Sequence, residues 1–189
     1  MMTHDNKVQS WELSQIMKGS ILKYVDPVSL IVKTLNSANI GKTDRTRIAT
    51  VISELYSNAL EHGLLNLDSS MKDDVEGFCQ YYVHREQGLA ALSDEWIKID
   101  IHYICGLSGE KLIICMEDSG AGFSYNNYTN SDDDGSGGDR PVRCRGRGIN
   151  LMRSMCKELS YHGTGNLVRV VYLLDGDNAQ CTNSQISCS

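Results

Sequence analysis

Two successive strand-like runs constrain the fold of this chain more than any other feature of its sequence. In WIKIDIHYIC, which starts at Trp96, Ile97, Ile99 and Ile101 alternate with Trp96, Lys98 and Asp100. A GLSGEK turn leads into KLIICMEDSG, which is apolar over most of its length and predicts a strand buried on both sides. The two runs therefore predict neighbouring strands joined by a short turn.

Two amphipathic helices are predicted ahead of these strands. In VDPVSLIVKTLNSANI, Asp26 is the expected N-cap, Pro27 takes the first helical position and Gly41 ends the helix. Thr43 or Asp44 can cap the second helix. The apolar stripe of that second helix consists of Ile48, Val51, Ile52, Leu55 and Ala59.

A third helix is predicted over residues 68–92. Its apolar residues step by threes and fours, and Arg85 interrupts the row. The row consists of Met71, Val75, Phe78, Tyr82, Leu89 and Leu92. Two interpretations follow: a helix packed on its own domain, which we favour, or a contact with another subunit or partner.

The remaining segments complete an α+β pattern. WELSQIMKGS predicts an early strand, GRGINLMRSMCKEL a helix, and ELSYHGTGNLVRVVYLL a terminal hairpin that turns at residues 163–165. Residues 119–145 have almost no periodicity and predict a long functional loop. The order of elements predicts a two-layer α/β sandwich, with a mixed, mostly antiparallel sheet covered by helices on one face.

Length and charge limit the classes of partner. The 189 residues suit one domain, which we place at residues 11–174 between a disordered or engineered leader (1–10) and a polar disordered tail (175–189). A net charge of -6 argues against nucleic acid as the main partner. Because no apolar run approaches the ~20 residues of a membrane span, we expect no membrane partner.

The cysteines indicate a reducing compartment. The seven cysteines include no CxxC pair, and no Cys/His cluster has the ligand spacing of a zinc site. Cys105 and Cys115 lie in strand-like runs and are interpreted as small buried apolar residues. These observations predict a cytoplasmic protein.

Three polar residues interrupt the second helix at regular spacing. In ELYSNALEHG, Glu54 and Asn58 share one helical face, about 6 Å apart along the axis. His62 follows four residues later. Their spacing is compatible with a solvated face or with a site.

Two glycine-rich motifs follow. EDSGAGF places Asp118 at a strand end, with Gly120 and Gly122 where the chain must turn or let a ligand approach. RGRGINL places Gly146 and Gly148 at the entry to a helix, whose N-terminus favours an anion. Each motif alone also fits an ordinary turn or cap.

Together and in this order, these motifs resemble the N, G1 and G2 boxes of the histidine-kinase-like (GHKL) ATPases, which have the Bergerat ATP-binding fold. The resemblance covers residues 11–174. The chain is most similar to anti-sigma-factor serine kinases (RsbW-like), and more closely to the C-terminal kinase domain of bacterial response regulators that carry a PP2C-type phosphatase. Relative to the simple anti-sigma kinases, the helix at 68–92 is extra.

The resemblance implies roles for individual residues. Glu54 matches the catalytic base, and Asn58 matches the magnesium ligand. Asp118 matches the acceptor of the adenine amino group. Gly120 and Gly122 match the glycines that pass close to the adenine ring. The ATP lid is residues 119–145, and Gly146, Arg147 and Gly148 match its end, which wraps the phosphates. Arg143 and Arg145 could add positive charge near the phosphates.

His62 matches the end of the N box and has two interpretations. In the first, it contacts the phosphates or the lid. In the second, which we favour, it is a helix-end histidine that faces water or caps carbonyl groups.

The resemblance implies an ATP- and Mg²⁺-dependent protein serine/threonine kinase. Its substrate would be a small STAS-type anti-sigma antagonist in a partner-switching pathway, and a sigma factor or other regulator could be a second partner. A homodimer is left open. Two alternatives are a nucleotide-binding module that sequesters a partner without phosphotransfer, and the ATP-binding domain of a sensor histidine kinase.

Overall fold

A five-stranded antiparallel sheet forms one layer of the computed structural model, which describes residues 9–24, 26–38, 40–73, 75–106, 109–122 and 147–175. The strand order is β1-β2-β3-β5-β4, and every neighbouring pair is antiparallel. The strands are β1 (Gln9–Lys18), β2 (Trp96–Gly106), β3 (Gly109–Asp118), β4 (Glu158–His162) and β5 (Leu167–Leu173).

Helices form the second layer. They are α1 (Pro27–Ser37), α2 (Lys42–Ser57), α3 (Val75–Ala91) and α4 (Arg147–Met155). The chain leaves α2 through a π-helical turn at Asn58–Leu64, the π-turn, and short 3-10 helices lie at Gly19–Lys23 and Ser69–Asp73. The α+β sandwich predicted from the sequence is therefore confirmed.

The hydrophobic core lies between the two layers. Ile97, Ile99 and Ile101 of β2 are buried, as is the predicted apolar stripe of α2. On β3, buried Leu112, Ile114 and Met116 alternate with half-buried neighbours, so the prediction of a strand buried on both sides is wrong. The alternation arises because helices cover only one face of the sheet.

The predicted start of α1 is correct, and that of α2 is not. Asp26 caps α1, with its Oδ1 accepting a hydrogen bond from the Val28 N–H at 3.0 Å. Gly41 is the N-cap of α2, whereas α1 already ends at Ser37. Asp44 is buried in the first turn of α2 and accepts a hydrogen bond from the Tyr172 hydroxyl at 2.7 Å. This carboxylate thus makes a tertiary contact instead of a cap.

Helix α3 packs on its own domain through only part of the predicted apolar row. Leu89 and Leu92 of that row are buried, whereas Val75 is 84% exposed and Phe78 and Tyr82 are about half exposed. In the first half of the helix Tyr81 is buried in their place, and its hydroxyl donates to a carboxylate of the π-turn.

The structure bears on the predictions for the chain ends, the cysteines and membrane spans. Gln9 and Ser10 belong to β1, while residues 1–8, 123–146 and 176–189, which include most of the predicted lid and tail, lie outside the described residues. Cys105 is buried as expected but is disulfide-bonded, which its interpretation as a simple apolar residue missed. Within the described part of the chain, each helix is too short or too polar for a membrane span.

Candidate functional site

The exit of α2 carries the first part of a pocket. The Leu65 N–H donates to the Leu60 carbonyl at 2.9 Å, a bond that reaches back five residues instead of four. Such π-helical turns are rare in proteins overall, but those that occur are often found at functional sites. Asn58, Ala59 and Gly63 of the π-turn all line the pocket.

The pocket lies between the π-turn, the end of β3 and the β4–β5 hairpin. The space between its lining atoms is about 340 Å³, a volume that includes open solvent at the mouth. Its lining residues are Leu55, Asn58, Ala59, Gly63, Met116, Asp118, Gly122, Tyr161, Gly165 and Val168. The walls are thus mostly apolar, and three lining side chains, those of Asn58, Asp118 and Tyr161, carry polar groups that could orient a ligand.

Asp118 is the buried polar group of this pocket. It is 6% exposed, and its Oδ1 accepts a hydrogen bond from the Gly120 N–H at 2.9 Å. Burial raises the pKa of Asp118 to about 6, since the bond from Gly120 offsets only part of the desolvation cost and Glu117 adds a like charge. A ligand that donates a hydrogen bond to this carboxylate would satisfy its charged form.

Glycines allow the backbone to close around Asp118. A Cβ atom on Gly63 would lie 2.6 Å from the Asp118 Cγ atom, and one on Gly120 would lie 2.1 Å from the Gly63 carbonyl oxygen. Gly122 has φ +80°, and a Cβ atom there would lie 2.3 Å from the Thr164 carbonyl oxygen. The predicted glycines Gly120 and Gly122 are therefore brought together with Asp118, and Gly63 joins them.

The β4–β5 hairpin turn supports the same strand end. The Asn166 side-chain amide donates to the Asp118 carbonyl at 2.9 Å, and the Asp118 N–H donates to the Asn166 carbonyl at 3.0 Å. Sequence reasoning located this turn but gave it no role. The only signal was a polar residue directly after Gly163-Thr164-Gly165, and that pattern is common to ordinary turns.

Glu54 lies near the start of α4 and does not line the pocket. A Cβ atom on Gly148 would lie 2.2 Å from the Glu54 Oε2 atom, so the carboxylate packs against the glycine backbone in the first turn of α4. A helix N-terminus favours a negative charge. Arg147 is the first residue of α4, whereas Gly146, Arg143 and Arg145 lie outside the described residues.

His62 caps a carbonyl group. Its Nδ1 atom lies 2.7 Å from the Leu67 carbonyl oxygen. Because a carbonyl oxygen can only accept, Nδ1 must carry the proton of this hydrogen bond. This contact favours the capping interpretation, and His62 is not among the pocket-lining residues.

Sequence reasoning missed a cluster around Glu61. The Glu61 carboxylate accepts a hydrogen bond from the Tyr81 hydroxyl at 2.5 Å and contacts Lys72 Nζ at 3.3 Å and Arg85 Nε at 3.2 Å. Burial alone would raise the pKa of Glu61, but the Tyr81 bond and the charges of Lys72 and Arg85 outweigh it and lower the pKa. We call Glu61, Lys72, Tyr81 and Arg85 the Glu61 cluster.

The pocket suits a flat heterocycle with an amino group. Its apolar walls can stack on a ring, and Asp118 can accept a hydrogen bond from an amino substituent. In the described part of the chain, no three His, Cys, Asp or Glu residues could hold a metal ion by themselves. Asn58 offers one carboxamide oxygen, a ligand type that suits Mg²⁺.

Comparison with known proteins agrees with this geometry. The family model described as the histidine kinase-like ATPase domain matches residues 21–172, which include every element from α1 to β4 and all of β5 except its last residue. A search of curated proteins finds no match for the chain.

Proposed function

The chain belongs to the histidine kinase-like ATPase domain family, and from that premise we propose that it is an ATP- and Mg²⁺-dependent protein serine/threonine kinase. Domains of this family bind ATP, typically with Mg²⁺. The observation that carries the proposal is the buried Asp118 carboxylate, enclosed by Gly63 and Gly120 at the end of an apolar pocket.

Asp118 would select adenine. In its ionised form it accepts a hydrogen bond from the exocyclic amino group of adenine, whereas guanine presents a carbonyl oxygen at the equivalent position and is repelled. Gly63 and Gly120 leave no side chain between the backbone and the edge of the base. We therefore expect the pocket to prefer ATP over GTP.

Asn58 and Glu54 would act at the phosphate end. Asn58 lines the pocket and would hold Mg²⁺ through its carboxamide oxygen, and the bound ion would neutralise charge on the phosphates. Glu54 lies one helical turn earlier and would accept the proton of an incoming serine or threonine hydroxyl. Its position beside Gly148 is at the start of α4, where phosphates are also expected to bind.

The protein substrate is proposed from the sequence resemblance to the anti-sigma kinases. It would be a small STAS-type anti-sigma antagonist in a cytoplasmic partner-switching pathway. Phosphorylation adds nearly two negative charges and can abolish docking at a tight interface. A sigma factor or another regulator would then be the alternative partner, and the chain could act as a homodimer.

Phosphotransfer to lysate proteins tests this proposal. The purified chain, its Glu54→Ala variant and an exposed control, Glu76→Ala, are incubated with γ-labelled ATP, Mg²⁺ and lysate of the source organism. We expect label on serine or threonine of one small protein with the wild type and the control, but not with Glu54→Ala. Because Glu54 is not a pocket-lining residue, the Glu54→Ala variant should still bind ATP.

Other outcomes would replace the kinase proposal. ATP binding without any labelled protein would indicate a module that sequesters its partner. Acid-labile phosphohistidine on the chain itself would indicate the ATP-binding domain of a sensor histidine kinase.

A further inference from the structure

The segment Ser69–Ala91, which we call the inserted segment, is joined to the π-turn by the Glu61 cluster. Glu61 is the only member of the cluster on the π-turn. Lys72 belongs to the short 3-10 helix, while Tyr81 and Arg85 belong to α3. The carboxylate thus binds two separate elements of the inserted segment at once.

The contacts of Glu61 are well protected from water. Its side chain is 14% exposed, and Tyr81 is fully buried. The Lys72 ammonium also lies 4.0 Å from the centre of the Tyr81 ring, which adds a cation–π contact. Removing one of these donors would leave a largely buried carboxylate with fewer partners, which is costly.

A second contact joins the inserted segment to the end of the same turn. A Cβ atom on Gly88 would lie 3.0 Å from the Leu65 side chain, so α3 passes close to Leu65 as well as to Glu61. The turn is also bonded at its exit, where the Leu67 N–H donates to the Glu61 carbonyl at 2.8 Å. The inserted segment therefore contacts the π-turn at its middle, through Glu61, and at its exit, through Leu65.

The inner surface of the π-turn forms part of the pocket. Asn58, Ala59 and Gly63 line it, and the backbone of Gly63 is in close contact with the Asp118 carboxylate. A small shift of the π-turn would move Gly63 relative to Asp118. The same shift would move Asn58 relative to the mouth of the pocket. Because π-helical geometry is intrinsically less favourable than α-helical geometry, outside contacts are needed to hold it.

We propose that the Glu61 cluster makes the inserted segment a positioning element of the nucleotide pocket, so that the order of this segment and the occupancy of the pocket are coupled. This inference rests on the proposed function, because it takes ATP as the ligand of the pocket. Lys72, Tyr81 and Arg85 are positioning residues, since they act on the pocket through Glu61. Coupling is reciprocal: the cluster strengthens ATP binding, and ATP stabilises the inserted segment.

Two neighbouring tyrosines provide a matched test. Tyr81→Phe removes the hydroxyl that donates to Glu61, whereas Tyr82→Phe removes a hydroxyl from a half-exposed side chain on the same helix. ATP affinity in the presence of Mg²⁺ is measured by calorimetry on the full chain, and thermal stability is measured without nucleotide. We expect Tyr81→Phe to weaken ATP binding by about 5- to 10-fold and Tyr82→Phe to leave it unchanged.

Hydrogen exchange provides a readout that a purely structural role would not change. ATP should slow amide exchange in α3 and the 3-10 helix of the wild type, and this protection should be smaller in Tyr81→Phe. If Tyr81→Phe proves unstable, Lys72→Met is used instead, because Met removes the charge but keeps an apolar side chain over the Tyr81 ring. Lys33→Met, at an exposed position, is the control for this variant.

The outcomes separate this inference from the proposed function. Unchanged ATP affinity in Tyr81→Phe and Lys72→Met overturns the positioning role, even if their thermal stability falls. Absence of ATP binding by the wild type overturns the proposed function, and the positioning role with it.

Discussion

Asp118 combines two opposing requirements at a single position. Its burial beside Gly63 and Gly120 excludes water from the carboxylate, which raises its pKa to about 6. A hydrogen-bond acceptor in that position must nevertheless be ionised to select an amino group. The ionised carboxylate therefore carries a desolvation cost that a donating ligand would remove.

The Asp118→Asn variant should change how stability depends on pH. In the folded wild type the carboxyl group takes up its proton near pH 6, whereas in the unfolded chain it does so near 3.8. Wild-type stability therefore rises, relative to the variant, as the pH falls from above 6 towards 4. We expect the variant to be the more stable of the two above pH 7, by up to about 3 kcal/mol, and this difference to shrink on acidification.

Urea denaturation of both proteins at pH 8 and pH 5 measures this difference, with Asp94→Asn as an exposed control. ATP binding by the Asp118→Asn variant should be lost at both pH values. Parallel stability curves for the two proteins would contradict the assignment of the raised pKa to Asp118.

Gly63→Ala should impair the pocket through sterics alone. The new methyl group would lie 2.6 Å from the Asp118 Cγ atom, so the carboxyl group or the π-turn must move. Such overpacking typically costs about 1–3 kcal/mol, and we expect ATP affinity to fall by about tenfold or more. Calorimetry should show no effect for Gly106→Ala, because a Cβ atom there meets no neighbour within 4 Å. Equal affinities for the two variants would refute the steric argument.

At the residue scale, the sequence predicted groups that belong to local motifs. Asn58, Asp118, Gly120 and Gly122 could be named because each lies in a short pattern with a known resemblance. The roles of Gly63 and Asn166 could not, since each depends on a contact with Asp118 from a distant part of the chain. Periodicity and spacing do not encode such contacts.

Elements whose ends are defined locally were predicted best. Asp26 and Pro27 specify the start of α1 through a side-chain cap and a fixed φ angle, and both are neighbours in sequence. The buried face of the first half of α3 was missed because the apolar row places Val75 and Phe78 inside, whereas the Tyr81–Glu61 bond buries Tyr81 instead. A polar contact across elements thus overrode the periodicity.

Replacing Asp26 by Ala should destabilise α1. The variant loses the acceptor of the Val28 N–H and of the Ser29 hydroxyl, and we expect a loss of about 1 kcal/mol in the free energy of unfolding. Chemical denaturation measures the change, and Asp26→Asn, which keeps an accepting oxygen, should lose less. A stability of Asp26→Ala equal to that of the wild type would mean that the cap contributes nothing in the folded domain.

On the scale of the whole molecule, one buried bond joins the start of α2 to the end of β5. Asp44 in the first turn of α2 accepts from the hydroxyl of Tyr172 near the end of β5, and Arg47 pairs with Asp175 just beyond that strand. The sequence predicted the two-layer architecture from the order of elements. It could not predict this contact, because the partners are 128 residues apart.

Tyr172→Phe should therefore reduce global stability. The substitution leaves the 3%-exposed Asp44 without its closest donor, and an unmet buried acceptor of this kind costs about 1–3 kcal/mol. Thermal unfolding measures the effect, with Tyr24→Phe at an exposed site as the control. If both variants melt at the wild-type temperature, the bond does not stabilise the fold.

The Glu61 cluster also limits how this domain can be rebuilt. The inserted segment looks like a removable module, since it begins and ends between elements of a simpler sandwich. Excising it would strip Lys72, Tyr81 and Arg85 from Glu61 and expose a bare acidic side chain on the outer surface of the π-turn. A minimised chain, or a chimera that exchanges this segment with a relative, would therefore need a compensating neutral residue at position 61, and the two regions are expected to diverge together.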